Sequence, residues 1–290
     1  MAIQPSQLEI DNIVAASGLR LSNPTVPASG TDTGTKGDIS WDSDYLYICT
    51  SGNTWKRVSL DSSAFTNGSS SDPNFSSVSL LLHSDGSNGS TTFTDSSSNS
   101  LTVTANGDAQ ISTTQSKFGG SSMYLDGTGD SVSITDSGSV MVLGTDDFTV
   151  EFWFYTSSNS TNLSSFATFF TGGTNSLVIR YHSSYSGIVV GYEDVGYDII
   201  PSPSASPTEN AWNHIAVVRD STSLRLYLNG SLVGDYTSTT RDYSSAINEI
   251  GKAGAYYPLL GYIDDFRVTK GIARYTGSSF SVPTEAFPNS

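Results

Sequence analysis

The chain has 290 residues, of which 36% are hydrophobic and only 14% are charged, so that Ser, Thr, Asn and Gly must supply much of the polar surface. The 13 basic and 28 acidic residues give a formal net charge of -15 at pH 7, which repels nucleic-acid phosphates and anionic lipid and predicts no nucleic-acid partner. The first residues lack the basic and apolar regions of a signal peptide, and no run approaches the ~20 apolar residues of a membrane span. We therefore expect a soluble protein with no signal peptide and no membrane insertion.

Residues 1–60 are predicted to form an extended arm followed by a small antiparallel β meander. The arm carries few strand signals beyond LEIDNIV and GLRLS, and it contains the connector PTVPASGTDTGTKG. Three short strand patterns follow, GDISWD, YLYICT and TWKRVSL, separated by the turns DSD and SGN. Three short strands bury too little apolar surface to be stable alone, so we expect this unit to pack against a partner.

The chain has one cysteine, Cys49, which excludes an internal disulfide framework and a multi-cysteine zinc site. Because Cys49 alternates with apolar residues in YLYICT, we interpret it as a buried structural thiol. A reactive thiol is the alternative.

The segment TDTGTKGDISWDSDYLYICTSGNTWKRVSL, residues 31–60, is similar to a short module of tailed-bacteriophage structural proteins, especially tail fibres and other virion appendages. The shared order of Gly, Trp, Tyr-Leu-Tyr, Cys and Trp-Lys-Arg carries this resemblance. It implies a virion protein made in the host cytoplasm, with other virion structural proteins as partners. We also expect a homo-oligomer, with a trimer favoured.

Residues 61–77, DSSAFTNGSSSDPNFSS, are dominated by Ser, Asn, Asp and Gly and are predicted to be a linker. A second domain is predicted over residues 78–290, built from many short strands with no long amphipathic helix. The strand candidates are residues 78–83, 101–104, two strands within 115–134, 148–155, 167–170, 177–182, 187–193, 197–200, 212–219, 224–228, 231–236, 248–251 and 259–270.

Two of these stretches carry the clearest patterns. In DDFTVEFWFYT, aromatic and aliphatic residues alternate with Thr149, Glu151, Trp153 and Tyr155, which predicts a central strand whose second face lines a concave surface or a neighbouring sheet. Residues 210–236 predict a three-stranded meander whose last turn is Asn229-Gly230, a dipeptide suited to a two-residue hairpin.

Five motifs occur in the order found in laminin-G-like domains of the concanavalin A-like superfamily: FGGSSMYLDGTGDSVSI, DDFTVEFWFYT, AWNHIAVVRD, LRLYLNGSLVG and LGYIDDFRVTKGIARY. The resemblance covers residues 78–290 and implies a jelly-roll sandwich, usually with a calcium site and often used to bind sugars or proteins. The predicted fold is therefore all-β, a small N-terminal meander with an extended arm followed by a concanavalin A-like (laminin-G-like) jelly-roll β-sandwich.

The same resemblance implies a Ca²⁺ ion held between the loop after the first strand of the sandwich and the Asp pair of GYIDDF. Calcium takes six to eight oxygen ligands, including carboxylates and amide carbonyls. The alternative is that these side chains only form turns. The implied ligands are Asp85, Asp95, Asn99, Asp264 and Asp265.

Catalysis is not predicted. His214 lies within a strand and is interpreted as a packed residue rather than a general base, and no G-x-S-x-G motif is present. A glycosidase of this fold needs two facing carboxylates, but the adjacent Glu193 and Asp194 point to opposite faces, and Glu151 stands alone on its strand.

Tyrosines near turns are the remaining functional candidates, because sugar C–H faces stack on Tyr rings. The alternative is that they fill the rim of the sandwich. The residues are Tyr185, Tyr192, Tyr197, Tyr256 and Tyr257.

Two functional hypotheses remain open. In the first, the chain is a non-enzymatic structural protein of a phage virion, such as a fibre, tail-associated or capsid decoration protein, whose sandwich contacts host cell-surface polysaccharide. In the second, the sandwich is an independent calcium-dependent carbohydrate-binding module and the N-terminal part is a spacer. A glycan-degrading enzyme of the same fold ranks below both.

Overall fold

The computed structural model describes residues 26–42, 45–59, 71–157, 166–171, 175–182, 185–192, 196–199, 206–245, 249–252 and 258–290. The chain divides into two compact units, residues 1–68 and residues 69–290. Among the described residues, no helix is long and apolar enough to cross a membrane.

The first unit contains the predicted meander. Strands β1 (Ile39–Trp41), β2 (Tyr45–Ser51) and β3 (Thr54–Ser59) form an antiparallel sheet in that order. The preceding segment folds back on this sheet, with backbone hydrogen bonds joining Gly37 and Asp38 to Cys49. The Cys49 thiol is buried and donates to the Ser51 carbonyl at 3.0 Å, which confirms the interpretation of a structural thiol.

The second unit is a sandwich of antiparallel strands. Its strands are β4 (Val78–Leu82), β5 (Thr102–Asn106), β6 (Gln110–Ser112), β7 (Ser122–Asp126), β8 (Ser131–Thr135), β9 (Phe148–Thr156), β10 (Phe166–Thr171), β11 (Leu177–His182), β12 (Gly187–Tyr192), β13 (Gly196–Ile199), β14 (Ala211–Asp220), β15 (Ser223–Leu228), β16 (Ser231–Tyr236), β17 (Glu249–Ile250) and β18 (Leu260–Lys270).

These strands form two sheets over the described residues. One has seven strands in the order β13-β12-β11-β10-β17-β8-β5. The other has eight, in the order β16-β15-β14-β9-β18-β7-β6, with β4 paired to β18. The predicted all-β fold, a small meander followed by a sandwich of two antiparallel sheets, is confirmed.

The main core lies between the two sheets, and β9 shows how the sequence places it. Phe148, Val150, Phe152 and Phe154 all point into this core and are fully buried. The strand lies between β14 and β18, so the predicted central position is confirmed. The alternate residues of β9 point to the opposite side of the eight-stranded sheet, which we call the outer face.

The predicted hairpin between β15 and β16 is also confirmed. Asn229 and Gly230 have φ values of 49° and 79°, the left-handed values that this two-residue turn requires. Strands β14, β15 and β16 form the predicted meander.

Two details differ from the sequence prediction. Strand β6 falls in a stretch where no strand was predicted, because three residues are too few to show a period of two. Strands β7 and β8, predicted together around Asp126-Gly127, lie in different sheets, so this turn crosses between layers.

Residues 71–77, within the predicted linker, pack on the sandwich. Phe75 begins a short 3₁₀ turn and joins a small apolar cluster with Val78, Leu81 and Phe287. The Asp72 backbone N–H donates to the Ser290 carbonyl at 2.7 Å.

The C-terminal segment, residues 271–290, covers much of the outer face. Tyr275 and Phe280 pack on a cluster that includes Ala216 and Tyr227. The Tyr227 hydroxyl donates to the Gly277 carbonyl at 2.7 Å, and Phe280 N–H donates to the Gly230 carbonyl at 2.8 Å.

Gly230 is required both for the hairpin and for the covering segment. A Cβ at Gly230 would collide with the Phe280 carbonyl oxygen, whereas a Cβ at Gly271, whose φ of 78° is nearly the same, meets nothing within 4 Å.

Gly271→Ala should cost about 1–2 kcal/mol of unfolding free energy for its left-handed backbone. Gly230→Ala should cost at least about 1 kcal/mol more in urea titrations. Equal losses would show that the covering segment does not press on the hairpin.

Candidate functional site

Strand β18 changes its pairing partner on one edge near its middle, so that the sheet forks there. The predicted Asp pair lies at this fork. The first half of β18 pairs with β7, and its second half pairs with β4, while β9 lies along its other edge. A bulge between Asp264 and Arg267 places an extra residue opposite β9, and Asp265 takes a φ of 49°. We call Asp264, Asp265, Asp85 and His83 the acidic fork.

Asp264 is buried at this fork and has one unsatisfied oxygen. Its Oδ2 accepts hydrogen bonds from the backbone N–H groups of Lys117 at 2.7 Å and Phe118 at 3.1 Å. Its Oδ1 is buried with no hydrogen-bond partner. Burial raises the pKa of Asp264 to about 7 despite these two hydrogen bonds, and the charges of Asp265 and Asp85 add to the rise.

Asp265 is fully engaged by the protein. Its Oδ1 lies 2.6 Å from Nδ1 of His83, and its Oδ2 accepts from the Phe287 backbone N–H at 2.7 Å. Nε2 of His83 lies 2.8 Å from the amide oxygen of Asn289. Burial lowers the pKa of His83, but the bonds to Asp265 and Asn289 outweigh it and hold the pKa above its usual value. With an oxygen acceptor at each ring nitrogen, the protonated imidazolium satisfies both contacts.

Asp85 completes the fork from the loop that follows β4. Burial and the negative charge of Asp265 raise its pKa, while His83 opposes the rise. Its carboxylate packs against Gly119, where any Cβ would collide with it. Among the described residues, no three His, Cys, Asp or Glu side chains group closely enough to be recognised as a metal site.

The structure gives Asp95 and Asn99 other partners. The Asp95 carboxylate accepts hydrogen bonds from the backbone N–H groups of Leu81, Ser97 and Leu101 and from the Ser97 hydroxyl. The Asn99 amide donates to the carbonyls of Val78 and Ser79 at 3.0 and 3.1 Å. Both side chains thereby fasten the loop between β4 and β5, and none of these hydrogen bonds involves Asp264 or Asp265.

The predicted sugar-binding tyrosines are only partly described. Tyr185 is exposed and its ring lies 4.6 Å from that of His182. Tyr192 lies in β12 and Tyr197 in β13, and Tyr256 and Tyr257 lie outside the described residues. A common surface for these five residues therefore remains a prediction.

A row of aromatic side chains that the sequence analysis missed crosses the outer face. Tyr124, Tyr262, Tyr155 and Trp212 come from β7, β18, β9 and β14 and are direct cross-strand neighbours. Successive ring centroids lie 5.0, 6.0 and 5.7 Å apart. We call these four residues the aromatic row. Their alternation along each strand was visible in the sequence, but their alignment depends on strand order and register.

Further along the outer face, Glu151 is fully buried within a group of charges. Arg267 donates to Glu151 at 2.7 Å and to Asp72 at 3.1 Å. Arg274 donates to Asp72 at 2.6 Å, and the Tyr275 hydroxyl donates to Glu151 at 2.8 Å. Burial alone would raise the pKa of Glu151, but Arg267 and His214 overcome it and hold the pKa at about 2. Glu151 is thus not alone on its face.

His214 is packed, as predicted. It is fully buried and stands edge-on to Trp153 and Phe280, with centroid distances of 5.0 and 5.7 Å. Its Nε2 lies 3.5 Å from Glu151 Oε2, a long separation for a hydrogen bond.

The chain belongs to the concanavalin A-like lectin/glucanases superfamily. A laminin-G family model with that description matches residues 126–272, about half of the chain. The match includes β9, β14, β15 and β18 and agrees with the observed sandwich.

Solved structures share this fold at low sequence identity. Domain 4 of the extracellular arabinanase AbnA from Geobacillus stearothermophilus, solved with arabinotriose, is 18% identical with a TM-score of 0.50, covering 68% of this chain and 93% of that one. The binding domain of botulinum neurotoxin serotype D/C is 16% identical with a TM-score of 0.51, covering 67% and 49%. These likenesses concern the fold alone.

Two curated phage proteins match over short segments, which confirms the resemblance to phage proteins. The capsule K30/K69-specific depolymerase of Klebsiella phage K64-1 is 54% identical over 37 residues, 13% of this chain and 5% of that protein. Depolymerase 1 of Klebsiella phage K5-2, with the same specificity, is 56% identical over 34 residues, 12% and 4%. The matched part of this chain thus spans about one twentieth of either relative.

The buried charge group leads to a stability prediction. Glu151→Gln leaves Arg267 short of a counter-charge inside the protein, so the unfolding free energy at pH 7 should fall by about 3 kcal/mol. The exposed Glu209→Gln should change it by less than about 0.5 kcal/mol.

The pH dependence gives a second readout of the same variant. Because the folded pKa of Glu151 lies below its usual value of 4.5, its contribution is complete above pH 4.5 and is lost as the pH falls toward 2. In urea titrations across this pH range, Glu151→Gln should lose less unfolding free energy on acidification than the wild type does. If the unfolding free energy of the variant falls as steeply below pH 4.5 as that of the wild type, the ion pairing is contradicted.

Proposed function

We propose that this chain is a non-enzymatic structural protein of a phage virion, and that its concanavalin A-like sandwich contacts host cell-surface polysaccharide. In this proposal, the N-terminal arm and meander attach the chain to other virion proteins and to copies of itself, with a trimer favoured. The position on the particle can be a fibre, a tail-associated assembly or a capsid decoration.

One observation carries the virion part of the proposal. A chain whose larger unit has a lectin-type fold shares segments of more than 50% identity with two phage capsule depolymerases. Segments this short do not transfer the activity of proteins about twenty times their length. They support a common phage setting in which bacterial surface polysaccharide is the target.

The surface of the meander supports its role in assembly. Ile39 and Ile48 are cross-strand neighbours, and they are 52% and 39% exposed. Val26, in the segment that precedes β1, is 39% exposed. Apolar side chains side by side on a small unit favour burial against another surface.

The carboxylates of the outer face argue against the enzyme alternative. Glu151 and Asp264 have pKa values shifted in opposite directions, a feature that acid and base pairs of glycosidases also show. However, both are buried, beneath the C-terminal segment and the Lys117 loop. A substrate cannot reach them in this arrangement, so we assign them to structure.

The acidic fork supports a calcium ion as a further part of the proposal. The buried and unpartnered Asp264 Oδ1, with Asp85 nearby, suits a cation, whereas Asp265, Asp95 and Asn99 already have protein partners. We therefore propose that Asp264 and Asp85 hold the ion together with backbone carbonyls. The ion would neutralise the two carboxylates and fasten the fork.

An assembly experiment tests the N-terminal role. By light scattering, the whole chain should be an oligomer and residues 71–290 should be a monomer, because the apolar surface lies on the meander. Ile48→Asp should shift the whole chain toward monomer, whereas Ser51→Asp, an exposed change on the same strand, should not. If residues 71–290 oligomerise while residues 1–60 fused to an inert monomer do not, the assigned roles are reversed.

A calcium titration tests the fork. Calcium that binds only the folded state should raise the melting temperature of the wild type, and Asp264→Asn should abolish most of the rise.

In chelator, the pH dependence gives the complementary result. Since the folded pKa of Asp264 is about 7, above its ordinary value of 3.8, the wild type should lose stability relative to Asp264→Asn as the pH rises from 4 to 7. The native state then holds a proton that the unfolded state has released. The loss amounts to about 1.4 kcal/mol per unit of pKa difference. If neither calcium nor chelator shifts the melting temperature of the wild type, the ion is removed from the proposal.

A further inference from the structure

We infer that the aromatic row, Tyr124, Tyr262, Tyr155 and Trp212, is the surface on which the sandwich binds a polysaccharide chain, which lies across the strands. This inference rests on the proposed function, because it names the site and ligand class of the proposed glycan contact. It differs from the tyrosines that the sequence analysis favoured.

The row is continuous and open. Each of its four side chains is half-buried, so each ring keeps part of its surface in solvent while its neighbours hold it in place. The rings are tilted to one another by 39°, 75° and 56°, which makes a ridged surface. Puckered sugar rings offer C–H faces that fit between such ridges better than a flat partner does.

The aromatic row lies next to the part of the outer face that other segments of the chain cover. Two residues further along the strands lie Trp153 and His214, which are buried. Phe118 and Lys117 cover Trp153, with the Lys117 ammonium 3.9 Å from the Trp153 ring centroid, and Phe280 packs on His214. The aromatic row is therefore the first row of this face that the described residues leave open.

The size of the row favours a glycan over a protein. Three strand spacings of about 4.8 Å make the row about 14 Å long, and one row is about 7 Å wide along the strands. Its footprint of roughly 100 Å² is far below the ~800 Å² that each partner buries in a standard protein interface. A narrow strip of rings suits an extended chain of small units.

Charge and hydrogen-bonding groups favour a sugar over a nucleic acid. The net charge of -15 opposes a polyphosphate, although single-stranded bases also stack on aromatic rings. Gln110 extends the row on β6 as the cross-strand neighbour of Tyr124, Asp126 lies next along β7, and the Lys117 ammonium lies beside the row. Donors and acceptors of both kinds around an apolar strip are what sugar hydroxyls require.

The inference is tested with the whole chain and immobilised capsular polysaccharides, including types K30 and K69 and a panel of other bacterial capsules. Tyr262→Ala should weaken binding about two- to tenfold, the loss expected for one aromatic contact. Tyr155→Ala combined with Tyr262→Ala should weaken it about tenfold or more. Tyr236→Ala, at an exposed tyrosine on β16 of the same sheet, is the matched control, and Tyr185→Ala tests the sequence-based alternative. Both should bind as the wild type does.

Tryptophan fluorescence provides a readout at Trp212 that does not depend on a loss of affinity. Polysaccharide should change the emission of the wild type, and Trp212→Phe should lose most of that change while keeping its melting temperature and most of its affinity. Tyr124→Ala, at the end of the row, serves if the central variants fail to fold.

The outcomes separate this inference from the proposed function. If the chain binds a polysaccharide and the folded row variants bind equally well, the row is not the site, but the glycan contact stands. If the wild type binds no polysaccharide of the panel, both are overturned. If only Tyr185→Ala weakens binding, the site lies on the other sheet.

Discussion

The paired charges around Arg267 are the constraint on which the outer half of the sandwich depends. A buried charge costs several kcal/mol unless it is paired and hydrogen-bonded. Arg267 on β18 meets Glu151 on β9 and Asp72 before β4, while Arg274 beyond β18 shares Asp72. Two positive and two negative charges balance only when residues from three distant parts of the chain are in place. The sheet and both of its flanking segments are therefore expected to fold as one unit.

This pairing also decides which part of the outer face stays open. Residues 71–77 and 271–290 are held over the buried charges and the cluster around Tyr227. Asp264 and Trp153 lie beyond those charges, beneath the Lys117 loop, and the aromatic row comes next. The proposed glycan site is thus the strip of the outer face that the described segments do not cover.

The sequence predicted local structure better than it predicted which distant residues lie side by side in the fold. Periods of two and the Asn229-Gly230 turn identified β9, β14, β15 and β16 correctly, because each pattern lies within a few residues. The positions of Asp95 and Glu151 could not be read in this way. Asp95 accepts from backbone N–H groups of β4 and of its own loop, and Glu151 gains partners 116 and 124 residues after it. The aromatic row likewise needs the order β7-β18-β9-β14, which no single strand encodes.

The acidic fork and the aromatic row are joined by one loop. The Lys117 and Phe118 backbone N–H groups bind the Asp264 carboxylate, and both side chains pack on Trp153, which lies on β9 two residues before Tyr155 of the row. The carboxylate accepts these hydrogen bonds best when it is ionised, and burial opposes ionisation near neutral pH. A cation at Asp264 Oδ1 would favour the ionised form and strengthen both bonds. The border of the row is therefore positioned by a carboxyl group that the proposed calcium ion would hold in its charged form.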